Sequence, residues 1–148
     1  MGAGFTPKIN DPDPIDLSFF GVLIGSVGKQ YNIYPKPRMA DVIQPNEKGK
    51  RWRAAFNKVK PRHFDFILCE KKTIKILAAI ELDDKSHEQK KRKERDEFVE
   101  KACQSAQLPL IRIKVKRAYK HEEIRELIKE KINDYQELDK AAQTANEA

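Results

Sequence analysis

The sequence predicts a single α/β domain in which a mixed sheet is flanked by helices. Three observations carry that prediction. The runs "HFDFILC" and "TIKILAAIEL" are apolar and strand-like, and the short polar "EKK" between them marks a hairpin. A charged helical stretch and another strand, "LPLIRIKVK", come next, and parallel pairing across that helix gives a strand–helix–strand crossover. Amphipathic helical patterns lie near both ends. With 148 residues the chain can enclose one real core.

Residues 1–15 read as a flexible leader punctuated by "NDPDPID", with Asp16 as a candidate helix cap. The domain is set at residues 16–139. Leu17, Phe20, Leu23, Ile24 and Val27 recur at helical spacing up to Gly28 and predict a first helix with these residues inward. The prolines of "YNIYPKPRMADVI" favour an extended or irregular run. Glu47–Arg62, "EKGKRWRAAFNKVKPR", reads as a loop, either solvated and pinned by Trp52 and Phe56 or shaped to bind phosphate. After the hairpin, Ser86 and Gln89 form a capping-box pattern for a helix to about Ala106. That helix is expected to bury Phe98, Val99, Ala102 and Ala106, with its charged first half over a groove or in solvent. "HEEIRELIKEKINDYQEL" predicts a last helix with Ile124, Leu127, Ile128, Tyr135 and Leu138 inward, and residues 140–148 read as a fraying tail.

Lys and Arg number 30 against 23 Asp and Glu, a formal charge of +7, which favours an anionic partner. Nucleic acid is the expected one, DNA ahead of RNA, and no membrane span is present. Cys69 and Cys103 lack disulfide or zinc spacing, so the chain is expected to be cytoplasmic with reduced thiols. In the basic run, Arg51, Arg53, Lys58, Lys60 and Arg62 are the candidate phosphate contacts, and Arg95 and Arg112 are added to them.

The chemical candidates gather at "AAIELDDKSHE". Strand alternation puts Glu81 and Asp83 on one face and Asp84 on the other, where it suits a turn. Antiparallel pairing brings Asp65 toward Glu81. Clustered carboxylates repel one another and resist desolvation, and a hard divalent cation relieves both penalties. Asp65, Glu81 and Asp83 are therefore candidate ligands for Mg²⁺, with Mn²⁺ as a substitute. The plainer reading ends the strand at Glu81 and begins a polar turn at Asp83. His87 is a candidate metal ligand or proton donor, or a helix-capping residue, and Lys91 and Arg95 share its helical face. Arg112 is a strand cation that needs an anionic partner.

Together "RMADVI", "HFDFIL", "AAIELDDKSH", the "RD" of Arg95–Asp96 and "LPLIRI" resemble the DUF2726 family over about Asp16–Tyr119. That family is grouped with the PD-(D/E)XK, restriction-endonuclease-like nucleases, near the very-short-patch-repair branch. The resemblance implies a mixed sheet flanked by helices, with Asp65 as first acidic ligand and Glu81 as the acid of the second motif. Asp83 stands where the pattern has lysine. The short-patch-repair branch also lacks that lysine and uses acidic residues and histidines, a role open to His87, while Lys91 is a second source of positive charge. The implied activity is Mg²⁺-dependent endonucleolytic hydrolysis of DNA. The alternatives are a non-cleaving nucleic-acid-binding module of the same fold and a protein-interaction domain with a basic surface.

Overall fold

Alternation along the central strands sorts their side chains into two apolar layers, and those layers dictate where the helices lie. The computed structural model describes residues 2–7, 13–84 and 89–147. Its elements run α1 (Pro14–Val27), β1 (Tyr31–Pro35), a 3-10 turn (Met39–Asp41), α2 (Gly49–Val59), β2 (Phe66–Glu70), β3 (Ile76–Asp83), α3 (Gln89–Ser105), β4 (Leu110–Lys114) and α4 (His121–Glu147). The strands lie in the order β1-β2-β3-β4. The first two pairings are antiparallel and β3–β4 is parallel across α3, so this is a mixed four-stranded sheet.

On one face Phe66, Leu68, Ala78, Ile80, Ile111 and Ile113 pack against Phe19, Leu23 and Val27 of α1 and Ile124, Ile128 and Ile132 of α4. On the other, Ile67, Cys69 and Ala79 pack against Met39, Val59, Phe64, Val99, Cys103 and Leu108. Both cysteines are free and buried within this second layer. Arg125 of α4 donates to the carbonyl of Ser26 at 2.8 Å, which ties the two helices of the first face together.

Several elements differ from the sequence reading. Gly49–Val59 is a helix, not a loop. Trp52, Phe56 and Val59 recur at helical spacing within the basic run, Gly49 enters with φ of 64°, and Pro61 stops the helix just beyond. Asp13, not Asp16, caps α1, accepting from the Ile15 amide at 2.9 Å. Leu17 and Ile24 are exposed, because α1 is apolar nearly all round and its periodicity cannot choose a face. Ala106 lies beyond α3 and is exposed. In α4, Ile132 is buried and Leu138 exposed. At about 1.5 Å per residue this helix outruns strands of five to eight residues, so its last turns have no sheet to cover. The helix continues to Glu147 with residues 136–147 exposed. Ser86 and the Gln89 side chain lie outside the described residues. Among those described, no helix is long and apolar enough to cross a membrane.

Candidate functional site

The site forms where the second apolar layer runs out. Ala79 is the last apolar residue of β3 on that face, and two positions on stands Glu81. Phe66 pairs with Ile80, so one further step of the antiparallel register sets Asp65 opposite Glu81. The parallel register sets Arg112 beside Glu81 from the other flank. Asp65, immediately before β2, and Glu81 and Arg112 on β3 and β4 thus lie side by side on the face under α3, and Asp83 follows one pleat later.

These residues line a cleft of about 450 Å³ together with Asp84, Lys91, Arg95 and Asp96 on one side and Asp16 and Lys36 on the other. Acidic side chains outnumber basic ones among the described residues that line it. Asp65 is held from two directions: its Oδ2 accepts from the Leu82 amide at 2.7 Å and its Oδ1 from Lys36 Nζ at 2.8 Å. Lys36 also reaches Asp16 Oδ2 at 2.7 Å, and its backbone N–H donates to the Asp65 carbonyl. Between two prolines it adopts φ of 48°, a conformation that costs a non-glycine residue free energy. Partial burial pulls the Lys36 ammonium down, but its hydrogen bonds to Asp16 and Asp65 outweigh this and hold it above the ordinary lysine value.

Glu81 is treated very differently. It is only 9% exposed, and among the described residues its Oε1 is buried without a hydrogen-bond partner. Burial, then the neighbouring Asp65 charge, raises its carboxyl to about 7, against the pull of Arg95, Arg112 and Lys36. A buried carboxyl left unpaired in a cleft is costly, and this combination marks functional sites. Arg112 does have the partners its strand position demands: Asp83 Oδ1 at 3.2 Å, Asp96 Oδ1 at 3.6 Å and Glu100 at 3.9 Å. Asp83 is thereby engaged with a cation. Nearby Cys103 has its thiol pushed up to about 12 by burial and then by Glu81, which keeps it protonated and unreactive.

Of the sequence candidates, Asp65, Glu81, Asp83, Lys91, Arg95 and Arg112 come together here. His87 lies outside the described residues. Arg51, Arg53 and Lys58 stand exposed on α2, with Lys60 at its C-cap, away from the cleft lining. Arg62 lies between these groups, donating to the Lys58 carbonyl at 2.8 Å and covering the Phe98 ring at 4.8 Å. It lines an adjoining hollow with Lys36, His63, Asp65 and Arg95. Asp84, expected to serve a turn, also lines the cleft. Sequence reasoning missed Lys36 and Asp16. A lysine locked between prolines in "YPKPR" was the available signal for the first; the second reads locally as a cap.

Among the described residues, no three His, Cys, Asp or Glu side chains group closely enough to hold a metal ion. The pair Asp65 and Glu81 does fit one in donor chemistry. The orphaned Glu81 oxygen supplies an uncommitted donor, and Mg²⁺ accepts one or two carboxylates while keeping several waters.

The model of a protein family of unknown function, DUF2726, matches residues 14–132, from the first residue of α1 to the last buried residue of α4. The chain belongs to the DUF2726 family. That span takes in every strand and every cleft residue named above. No curated protein and no solved structure matches the chain.

Proposed function

We propose that this DUF2726 domain binds a nucleic-acid backbone, DNA before RNA, across the mouth of the cleft, as a module on a restriction-endonuclease-like frame. One observation carries the reading: Arg95 lines both the cleft and the adjoining hollow, where it meets Arg62 at the end of the basic helix α2. Cations therefore follow one another from α2 over Arg62 to Arg95 and Lys91, around a floor of acids. Such a border attracts phosphates, while the floor keeps them out of direct contact unless a cation intervenes. Titrating a labelled duplex by fluorescence anisotropy at several salt concentrations tests this. The expected result is binding that weakens log-linearly with salt and is reduced by Arg95→Ala. Absence of binding to DNA or RNA at low salt overturns it and favours an acidic protein partner.

A specific observation favours a second reading, in which the same cleft hydrolyses the phosphodiester with Mg²⁺ or Mn²⁺. That observation is the orphaned Glu81 oxygen beside Asp65. Asp65 and Glu81 would hold the ion, with Asp83 as an outer ligand, and a bound ion of this kind acidifies a water and polarises the phosphoryl group. The chain's own residues have separate tasks. Lys36 and the Leu82 amide fix the orientation of Asp65. Arg112 steadies Asp83, and Lys91 and Arg95 clamp phosphate; His87, outside the described residues, is the candidate that the sequence offers for proton transfer. Supercoiled plasmid with Mg²⁺ or Mn²⁺, beside Asp65→Ala and Glu81→Ala, decides between the readings. Cleavage lost in both variants supports hydrolysis. Cleavage surviving both removes this site, and binding without cleavage leaves the module.

A further inference from the structure

We infer that the aromatic pair Trp52–Phe56 on α2 is a stacking platform for unpaired bases, so that the domain prefers single-stranded nucleic acid to intact duplex. This rests on the nucleic-acid reading above and adds the form of the substrate.

The two rings lie 4.9 Å apart and within 8° of parallel. Parallel pairs also occur in the interior, where Phe20 stacks on Phe66. The Trp52–Phe56 pair is different because it belongs to neither apolar layer, and Trp52 is 38% exposed. The Trp52 ring stacks on Phe56 but keeps more than a third of its surface in water, while the helix is anchored through buried Val59. It offers a flat π-surface on which a base of any identity can continue the stack.

The charges around it complete the arrangement. Arg51 and Lys58 are seven apart, as are Arg53 and Lys60, and helical geometry puts each pair on one side of the aromatic stripe. Two cationic rows thus bracket one aromatic row, the combination by which a sugar–phosphate chain is followed while its bases stack. Helix α2 also ends at the candidate site, since Arg62 closes its last turn and lines the hollow shared with Lys36 and Asp65. A strand held at Trp52 is therefore led toward the acidic cleft. In duplex DNA the base faces are already stacked on one another, so the platform contributes nothing there.

Trp52 is the only tryptophan in the chain, so its fluorescence reports this surface directly. Full-length protein is titrated with oligo-dT, oligo-U, a duplex and anionic phosphatidylserine vesicles, alongside Trp52→Ala and Trp52→Phe, with circular dichroism as the folding control. Expected are quenching of Trp52 by the single strands, a roughly 5- to 150-fold loss of single-strand affinity in Trp52→Ala, partial retention in Trp52→Phe, and duplex affinity unchanged within about twofold. The oligo-dT and oligo-U arms tell DNA from RNA as the source of the unpaired base. Equal single-strand and duplex binding, with no quenching and no effect of Trp52→Ala, overturns the inference and leaves the binding proposal standing. No binding to any nucleic acid overturns both. A fluorescence response to vesicles alone assigns the helix to a membrane surface and also overturns the inference.

Discussion

The two faces of the sheet are made from the same strands but end in opposite ways. Under α1 and α4 the apolar positions continue through Ile80 to Leu82 on β3 and through Ile111 to Ile113 on β4. Under α3 they stop at Ala79 and Leu110, and the next inward positions are Glu81 and Arg112. One face is closed by hydrocarbon and supplies stability. The other gives up apolar burial at its last turn and accepts charge that must be paired, desolvated or left unsatisfied.

Four measurements test this contrast. The largest effect belongs to the closed face, where Phe66 is buried and meets both Phe19 and Phe20. Phe66→Ala should lower the urea-unfolding free energy by about 3–5 kcal/mol; a loss under about 1 kcal/mol would mean that this layer is not the stabilising one. Next comes Glu81. Its folded carboxyl titrates at about 7, above the ordinary 4.5, so the folded protein holds the proton more tightly than the unfolded chain. That stabilising contribution is complete below 4.5 and is lost as pH rises through 7. Glu81→Gln should therefore unfold at higher urea than the parent at pH 8 in EDTA, by about 3 kcal/mol, and match it at pH 4. A variant less stable at pH 8 would show that the charge is compensated.

Lys36→Met tests the clamp on Asp65. Because the lysine is half exposed, the expected loss is only about 1 kcal/mol, and it should shrink in high salt. A salt-independent loss would show that the Lys36 charge is not what stabilises this clamp. The smallest effect on stability is expected on α2. Arg51→Ala should change unfolding by less than about 0.5 kcal/mol while reducing the salt slope of DNA binding by about one. An unchanged slope would remove Arg51 from the interface.

Much of this was legible from local pattern. The hairpin, the parallel crossover and the inward-facing isoleucines at 124 and 128 follow from alternation and helical spacing, because burial on a single face leaves a periodic trace. The approach of Asp65 to Glu81 follows from the same alternation once the hairpin pairs. The basic stretch at 47–62 reads as a loop, because its charges mask the weaker Trp52–Phe56–Val59 spacing, yet 49–59 folds as α2. The first helix carried the reverse problem, since apolar residues on all sides give no preferred face and Phe19 could not be told from Leu17.

By itself the sequence determined the order from the hairpin through the crossover to the last helix, the split of the central strands into two faces, and the carboxylates that stand where one face gives out, but not β1 or α2. Each is a consequence of residue spacing along a single element. Tertiary structure alone decided that Lys36, just beyond the first strand, bridges Asp16 and Asp65, that Arg112 takes Asp83 and Asp96, and that the Glu81 Oε1 is left unpaired among the described residues. Those outcomes depend on which cation reaches which acid across segments far apart in the chain. A carboxylate's desolvation and partners are properties of the packed cleft, not of its neighbours in sequence.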